Sequence, residues 1–134
     1  MGINLKTIWT ESFKSGDDFS SKQYYGCKFE ADRQIALTSA DTDVPAGLIL
    51  NKPEDGETAE VLIIGRAPGV VAEAITAGQL VRIASGGKVA LFEPLTDVTC
   101  YCVGQCVEGA DDDGEMGVFD FNFATPVKGD LDTT

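Results

Sequence analysis

Histidine is absent from this 134-residue sequence. That absence removes Ser-His-Asp and Cys-His nucleophile pairs and the histidine-bearing helix motif of zinc hydrolases. Only carboxylate, lysine or thiol chemistry is left to an enzyme reading, and a non-enzymatic role is expected. Basic residues are scarce as well: ten Lys and Arg face 22 Asp and Glu, for a net charge of −12. Such a surface repels nucleic-acid phosphates and anionic lipid, so neither is expected as a direct partner. No apolar run approaches the ~20 residues of a membrane-spanning helix. The first residues lack the apolar stretch of a signal peptide, so the N-terminus is read as retained. Met1-Gly2 opens a myristoylation pattern, but Lys6 stands where that pattern needs Ser or Thr.

Length and composition fit one ordinary globular domain. The charge is unevenly spread. Residues 1–34 carry five acids and five bases, residues 35–107 nine and four, and residues 108–134 eight and one. A protein partner should therefore offer basic or apolar patches. The neutral first segment also holds the single tryptophan and several large aromatics: Trp9, Phe13, Phe19, Tyr24, Tyr25 and Phe29. Ile3 and Leu5 alternate as a short strand would. Two readings stay open for residues 1–34. They pack as a first strand with its loop, or they form an extended arm whose Trp9, Phe13, Phe19, Tyr24 and Tyr25 anchor on a neighbouring subunit or a capsid.

From Gln34 onward the pattern is that of strands. Ile35 and Leu37 share one face, with Gln34, Ala36 and Thr38 on the other. Leu48-Ile49-Leu50 runs into Pro53-Glu54-Asp55-Gly56, where proline fixes φ and glycine accepts a positive value. Val61 to Ile64 follow, with a break expected at Gly65 and Pro68-Gly69. Val70 to Ile75 reads as a short strand. Ser85-Gly86-Gly87-Lys88 reads as a hairpin turn between Val81/Ile83 and Val89/Leu91. Val98 to Val107 reads as another strand, with Gly104 a bulge or a point of close approach. In Val118 to Phe123 the alternation is unbroken: Phe119, Phe121 and Phe123 should face the core, and Asp120 and Asn122 water. Strands punctuated this regularly predict an all-β fold, a small antiparallel β-barrel or sandwich. The expected divisions are residues 1–34, a barrel over 35–125, and an acidic tail over 126–134.

Three constellations invite a chemical reading. Cys100-x-Cys102-x3-Cys106, with Cys27 as a fourth ligand, could hold a metal, but the spacing is not that of common zinc sites. Small buried hydrophobes are the plainer reading of these cysteines, and no cofactor is expected. Asp111-Asp112-Asp113-Gly114-Glu115 hints at a calcium loop. Setting Gly114 at the loop's sixth position puts Gly109 where the first Asp ligand belongs, so a solvated hairpin is expected. Gly86-Gly87-Lys88 lacks the upstream glycine and the strand-to-helix setting of a phosphate loop.

One family resemblance stands out. Val44-Pro45-Ala46-Gly47-Leu48-Ile49-Leu50-Asn51-Lys52-Pro53, then Asp55-Gly56-Glu57-Thr58-Ala59-Glu60-Val61 and Gly65, is similar to small bacteriophage head decoration (capsid cement) proteins. Ile75-Thr76-Ala77-Gly78-Gln79-Leu80-Val81 and Gly86-Gly87-Lys88-Val89 resemble that family's following hairpin. Val103 to Ala110, Gly114-Glu115 and Val118 to Phe123 resemble its closing segment. The resemblance spans about residues 34–125. It implies a β-barrel or β-tulip-like domain on the exterior capsid surface of a virion, bound to the major capsid protein and often trimeric. Such a domain stabilises the shell against internal DNA pressure without catalysis. Residues 1–34 are longer than the compact family form, and an N-terminal extended arm would suit capsid binding. A tail or neck structural protein, or a cysteine-based metal module, are the alternatives.

Overall fold

The computed structural model describes residues 6–128, and the proposed alternation of Ile3 and Leu5 lies outside them. Among the described residues the chain forms eleven strands and no helix. They are β1 (Lys6–Ser15), β2 (Gly26–Ala31), β3 (Gln34–Leu37), β4 (Gly47–Ile49), β5 (Thr58–Val70), β6 (Leu80–Ile83), β7 (Val89–Leu91), β8 (Tyr101–Cys102), β9 (Gly104–Glu108), β10 (Met116–Asn122) and β11 (Val127–Lys128).

Everything is arranged on β5, which is rich in the β-branched residues that suit a pleated, buried surface. Along one edge it pairs with β1, from Lys6↔Arg66 to Lys14↔Thr58. Its other edge takes β4 at Val61 and Leu62, then β10 from Ile64 to Val70. Because β1 returns to β5, the order β1-β3-β2-β4-β5 closes into a five-stranded barrel. The remaining order β5-β10-β9-β6-β7 curls into a second sheet. A single parallel bridge, Val71↔Val89, brings β7 back to the end of β5, and the Ala72 N–H donates to the Val89 carbonyl at 2.8 Å. The strand pairings are antiparallel except β1–β3. β8 and β11 form a separate two-stranded ribbon.

Two cores result. Phe13, Phe19, Cys27, Ile35, Ile49, Val61 and Ile63 fill the closed barrel. Leu48, Leu62, Val81, Val89, Phe119, Phe121 and Phe123 lead the second core. β4 and β5 are the partition: Leu48 pairs with Leu62 and Ile49 with Val61, and each pair serves a different core. Leu62 and Ala67 both enter the second core, although a regular strand cannot put residues five apart on one face. A bulge at Ile63, unmatched between Trp9↔Ile64 and Thr10↔Leu62, and Gly65 at φ 151° supply the change of parity.

The turns at Pro53–Gly56 and Ser85–Lys88 stand as expected, with Gly56, Gly86 and Gly87 at positive φ. The phenylalanine row also points inward, Phe119, Phe121 and Phe123 being at most 4% exposed while Asp120 and Asn122 face solvent. Three expectations change. Gly65 and Pro68-Gly69 do not break the strand. The Val70 N–H points away from β10, to the Tyr24 carbonyl, so the Pro68 nitrogen two residues earlier points to that edge too. The β1 pairing has ended at Arg66, and no ladder bond is forfeited there. Val70 to Ile75 is not a strand beyond Val70; Val71 and Ile75 make isolated bridges only. Val98 to Val107 is split into β8 and β9 around the buried Val103. Gly104 is a close approach, since a Cβ there would strike the Asp120 carbonyl.

Candidate functional site

β1 and β2 are built into the closed barrel, so residues 6–31 are not a detached arm. Phe13 (9% exposed) and Phe19 (fully buried) belong to its core, which removes them as free anchors. Tyr24, at φ 68°, packs half-buried against the second core, and Tyr25 is also half-buried. Of the five proposed contact residues, Trp9 alone is exposed, at 44%. Its exposure has a structural cause. Trp9, Glu11 and Phe13 share the inward face of β1, but β3 pairs with β1 only at Lys14 and Ser15. Beside residues 9–13 the barrel wall is open.

That opening is a groove of about 870 Å³, within the range of small binding sites. Trp9, Glu11 and Phe13 line one side, Phe29, Arg33 and Val44 the other, and Ile63 lies among them. Phe29 and Val44 are 54% and 53% exposed. Phe29 meets the Phe13 ring edge-on at a centroid distance of 5.1 Å, and the Arg33 guanidinium lies 5.3 Å from the Phe13 centroid, a cation–π arrangement. Trp9 Nε1 donates to Glu11 Oε2 at 2.6 Å. Lys28 Nζ pairs with Asp43 Oδ2 at 3.2 Å. The Asp43 carboxyl is held below the usual carboxylate range, first by the Ser39 N–H and further by the Ala40 N–H and Lys28, against the opposing effect of burial. The lining charges Glu11, Asp43, Lys28 and Arg33 cancel, so this groove is a neutral, aromatic feature on a chain of net −12. It is suited to taking up apolar groups.

Phe29 and Val44 were not foreseen as contact residues. Phe29 has the same strand parity as the buried Cys27, so alternation alone places it inside. It is exposed because β4 covers β2 only at Gly26 and Cys27. The four cysteines do not converge. Cys27 sits in the barrel core and Cys106 in the second core, while Cys100 is buried apart and Cys102 half-buried. Burial pushes the Cys27 thiol up to about 12 and raises Cys106 as well. Among the described residues no three His, Cys, Asp or Glu side chains are grouped to hold a metal. At Asp111–Glu115 the Glu115 carboxylate accepts the N–H groups of Asp111 and Asp112, which makes the segment a self-bonded turn.

No protein-family model matches this sequence, and no curated protein matches it. Among solved structures the chain is similar to the head fiber gp8.5 N base in bacteriophage phi29. The TM-score is 0.61 at 14% identity, covering 86% of this chain and 94% of that one. At that identity the likeness is one of fold.

Proposed function

We propose that this chain is a non-enzymatic structural protein of a bacteriophage virion, which binds the outer surface of the capsid where shell subunits meet and stabilises the shell. The observation that carries the reading is the fold likeness to a phage head fiber base over 86% of the chain. The decoration-protein resemblance of residues 34–125 points the same way from independent features, the order of turns and strands. The acidity fits an exterior position, since a chain at −12 is poorly suited to lie against packaged DNA.

The mechanism is thermodynamic linkage. A protein that binds only the assembled shell lowers its free energy by RT ln(1 + [L]/Kd) per site. If three copies act together as a homotrimer at a threefold position, modest contacts are multiplied by effective concentration. The fold supplies a stiff body for that role, two cores sharing one partition.

The test is co-sedimentation of the purified protein with undecorated capsids of its phage, with bound copies counted. Saturable binding at a number matching the threefold positions is expected. Absence of binding to a bare shell would refute the proposal and favour a tail or neck position. Light scattering checks the trimer separately.

A further inference from the structure

The groove has a second property beyond its aromatic lining. In β1 the Lys14 N–H donates to Arg33 and the Gly16 N–H to Ile35, both towards β3, whereas the Ser15 N–H points to β5. Strand alternation then turns the N–H and C=O groups of Ser12 and Thr10 away from β5, towards the side on which β3 would lie. β3 reaches only Lys14 and Ser15, so among the described residues no strand pairs with this edge at Thr10 or Ser12. An unpaired edge of this kind is a template for a further strand. Here it borders an apolar groove, the combination by which extended peptides are recognised: main-chain bonds along an edge, with pockets for alternate side chains.

The charges specify what such a strand should carry. Lys28 has its carboxylate in Asp43, and Glu11 accepts from Trp9. Arg33 has no carboxylate within 4.0 Å among the described residues; its Nη2 rests on the Ser12 carbonyl at 3.4 Å. The guanidinium is thus held over the open edge.

We propose that the β1 edge and the adjoining groove bind an extended, apolar segment of the shell protein as an added strand, with one carboxylate of that segment facing Arg33. This rests on the shell-binding reading above and names the face that docks. Trp9 and Phe29 take the apolar side chains, and the Thr10 main chain and the Ser12 N–H supply the strand bonds, the Ser12 carbonyl being held by Arg33.

Two peptide probes test the groove by itself: acetyl-Val-Thr-Glu-Thr-Val-Thr-amide, whose Val and Glu side chains share one strand face, and the same peptide with Lys in place of Glu. Binding is read from the fluorescence of Trp9, the sole tryptophan, and from amide exchange at Thr10 and Ser12. Long-range attraction to a chain of −12 favours the Lys peptide, so local recognition is diagnosed by the reverse order. The Glu peptide should bind about tenfold more tightly, with protection of both amides, and Arg33→Glu should abolish the preference. Equal binding, a Lys preference, or no amide protection would overturn the proposal.

Capsids supply the second arm. Trp9→Ala, Arg33→Glu and Thr10→Pro should each weaken co-sedimentation about tenfold or more, with Leu95→Ala as a neutral control. Thr10→Pro removes only an outward N–H and is tolerated on an edge; circular dichroism confirms the fold of each variant. If wild type binds capsids and the three variants bind equally well, this groove is not the docking face, although shell binding stands. If wild type itself fails to bind capsids, the shell is not the source of the segment. Self-association by light scattering that Thr10→Pro abolishes would assign the edge to a second copy and overturn the assignment.

Discussion

Replacing Phe121 by alanine tests the register of β10 and the reality of the second core together. The ring is 3% exposed and lies between Phe119 and Phe123, at centroid distances of 5.5 and 5.2 Å. Burial of a phenylalanine contributes about 1.5–3 kcal/mol relative to exposure. Truncation also opens a cavity and removes two aromatic contacts, so a loss of about 3–5 kcal/mol is expected. Domains of this size have a total stability of about 5–15 kcal/mol. The corresponding fall in Tm is about 10–20 °C. The neighbouring Asp120→Ala removes a surface ion pair, Arg66 Nε to Oδ1 at 2.6 Å and Nη2 to Oδ2 at 3.1 Å. Its partners' side chains are 32% and 53% exposed, and surface pairs of this kind contribute little. Urea titrations followed by circular dichroism and by Trp9 fluorescence supply the comparison. Phe121→Ala should lower the midpoint with an unchanged slope, and Asp120→Ala should scarcely move it. Trp9 lies beside the other core, so coincident transitions would also establish that the two cores unfold as one. Equal, small effects of the two substitutions would refute the register.

Four further outcomes are expected. At pH 8 a thiol reagent should modify the half-buried Cys102 in native protein and reach Cys27 only on unfolding. Because the folded Cys27 thiol is raised from 9.0 to about 12, its contribution to stability is complete below pH 9 and is lost as pH rises towards 12; Cys27→Ala should flatten that alkaline limb in denaturation midpoints. Asp43 is lowered from 3.8, so its charge-linked contribution is present above that value and lost as pH falls through the lower folded pKa; Asp43→Ala should cost about 1 kcal/mol at pH 7 and less once the carboxyl is protonated, as read from midpoints across the acid range. Gly104→Ala should destabilise by about 1–3 kcal/mol in the same titrations, since its methyl meets the Asp120 backbone carbonyl, which cannot swing aside.

The elements that sequence made legible are those in which one local rule suffices. The phenylalanine row needs only a period of two and one buried face. The turns at Gly56 and Gly86-Gly87 need only residues that tolerate positive φ. The groove is different, because its exposure is set by where other strands stop. Trp9 is open because β3 reaches no further back along β1 than Lys14, and Phe29 because β4 ends its cover at Cys27. Neither limit is written in the residues themselves. Phe13 and Phe19 carry no local mark that separates a core aromatic from an anchoring one. For Phe13 the pairing of β1 with β5, at Ala59, decides it, and for Phe19 the docking of its loop, where the Phe19 N–H donates to the Pro53 carbonyl.

The two-core plan did leave a trace. Leu48-Ile49-Leu50 and Val61-Leu62-Ile63-Ile64 are continuous apolar runs, whereas a strand with one wet face alternates. Continuity means burial on both faces, and these segments are the wall between the cores. The read-through at Pro68 follows from the same plan. β5 must continue past the barrel to carry β10, and the only edge on which a proline nitrogen is harmless is the one β1 has already left. A strand that serves one barrel and then seeds the next sheet also fixes the groove relative to the second core. The wall of β1 beside Trp9 is held by the first half of β5, and Phe123 donates its N–H to the Ile63 carbonyl at the bulge, at 2.8 Å. A load applied to a strand docked at Thr10 and Ser12 would therefore pass through the β1–β5 ladder into the partition and into both cores. That is the mechanical connection a shell-binding role requires.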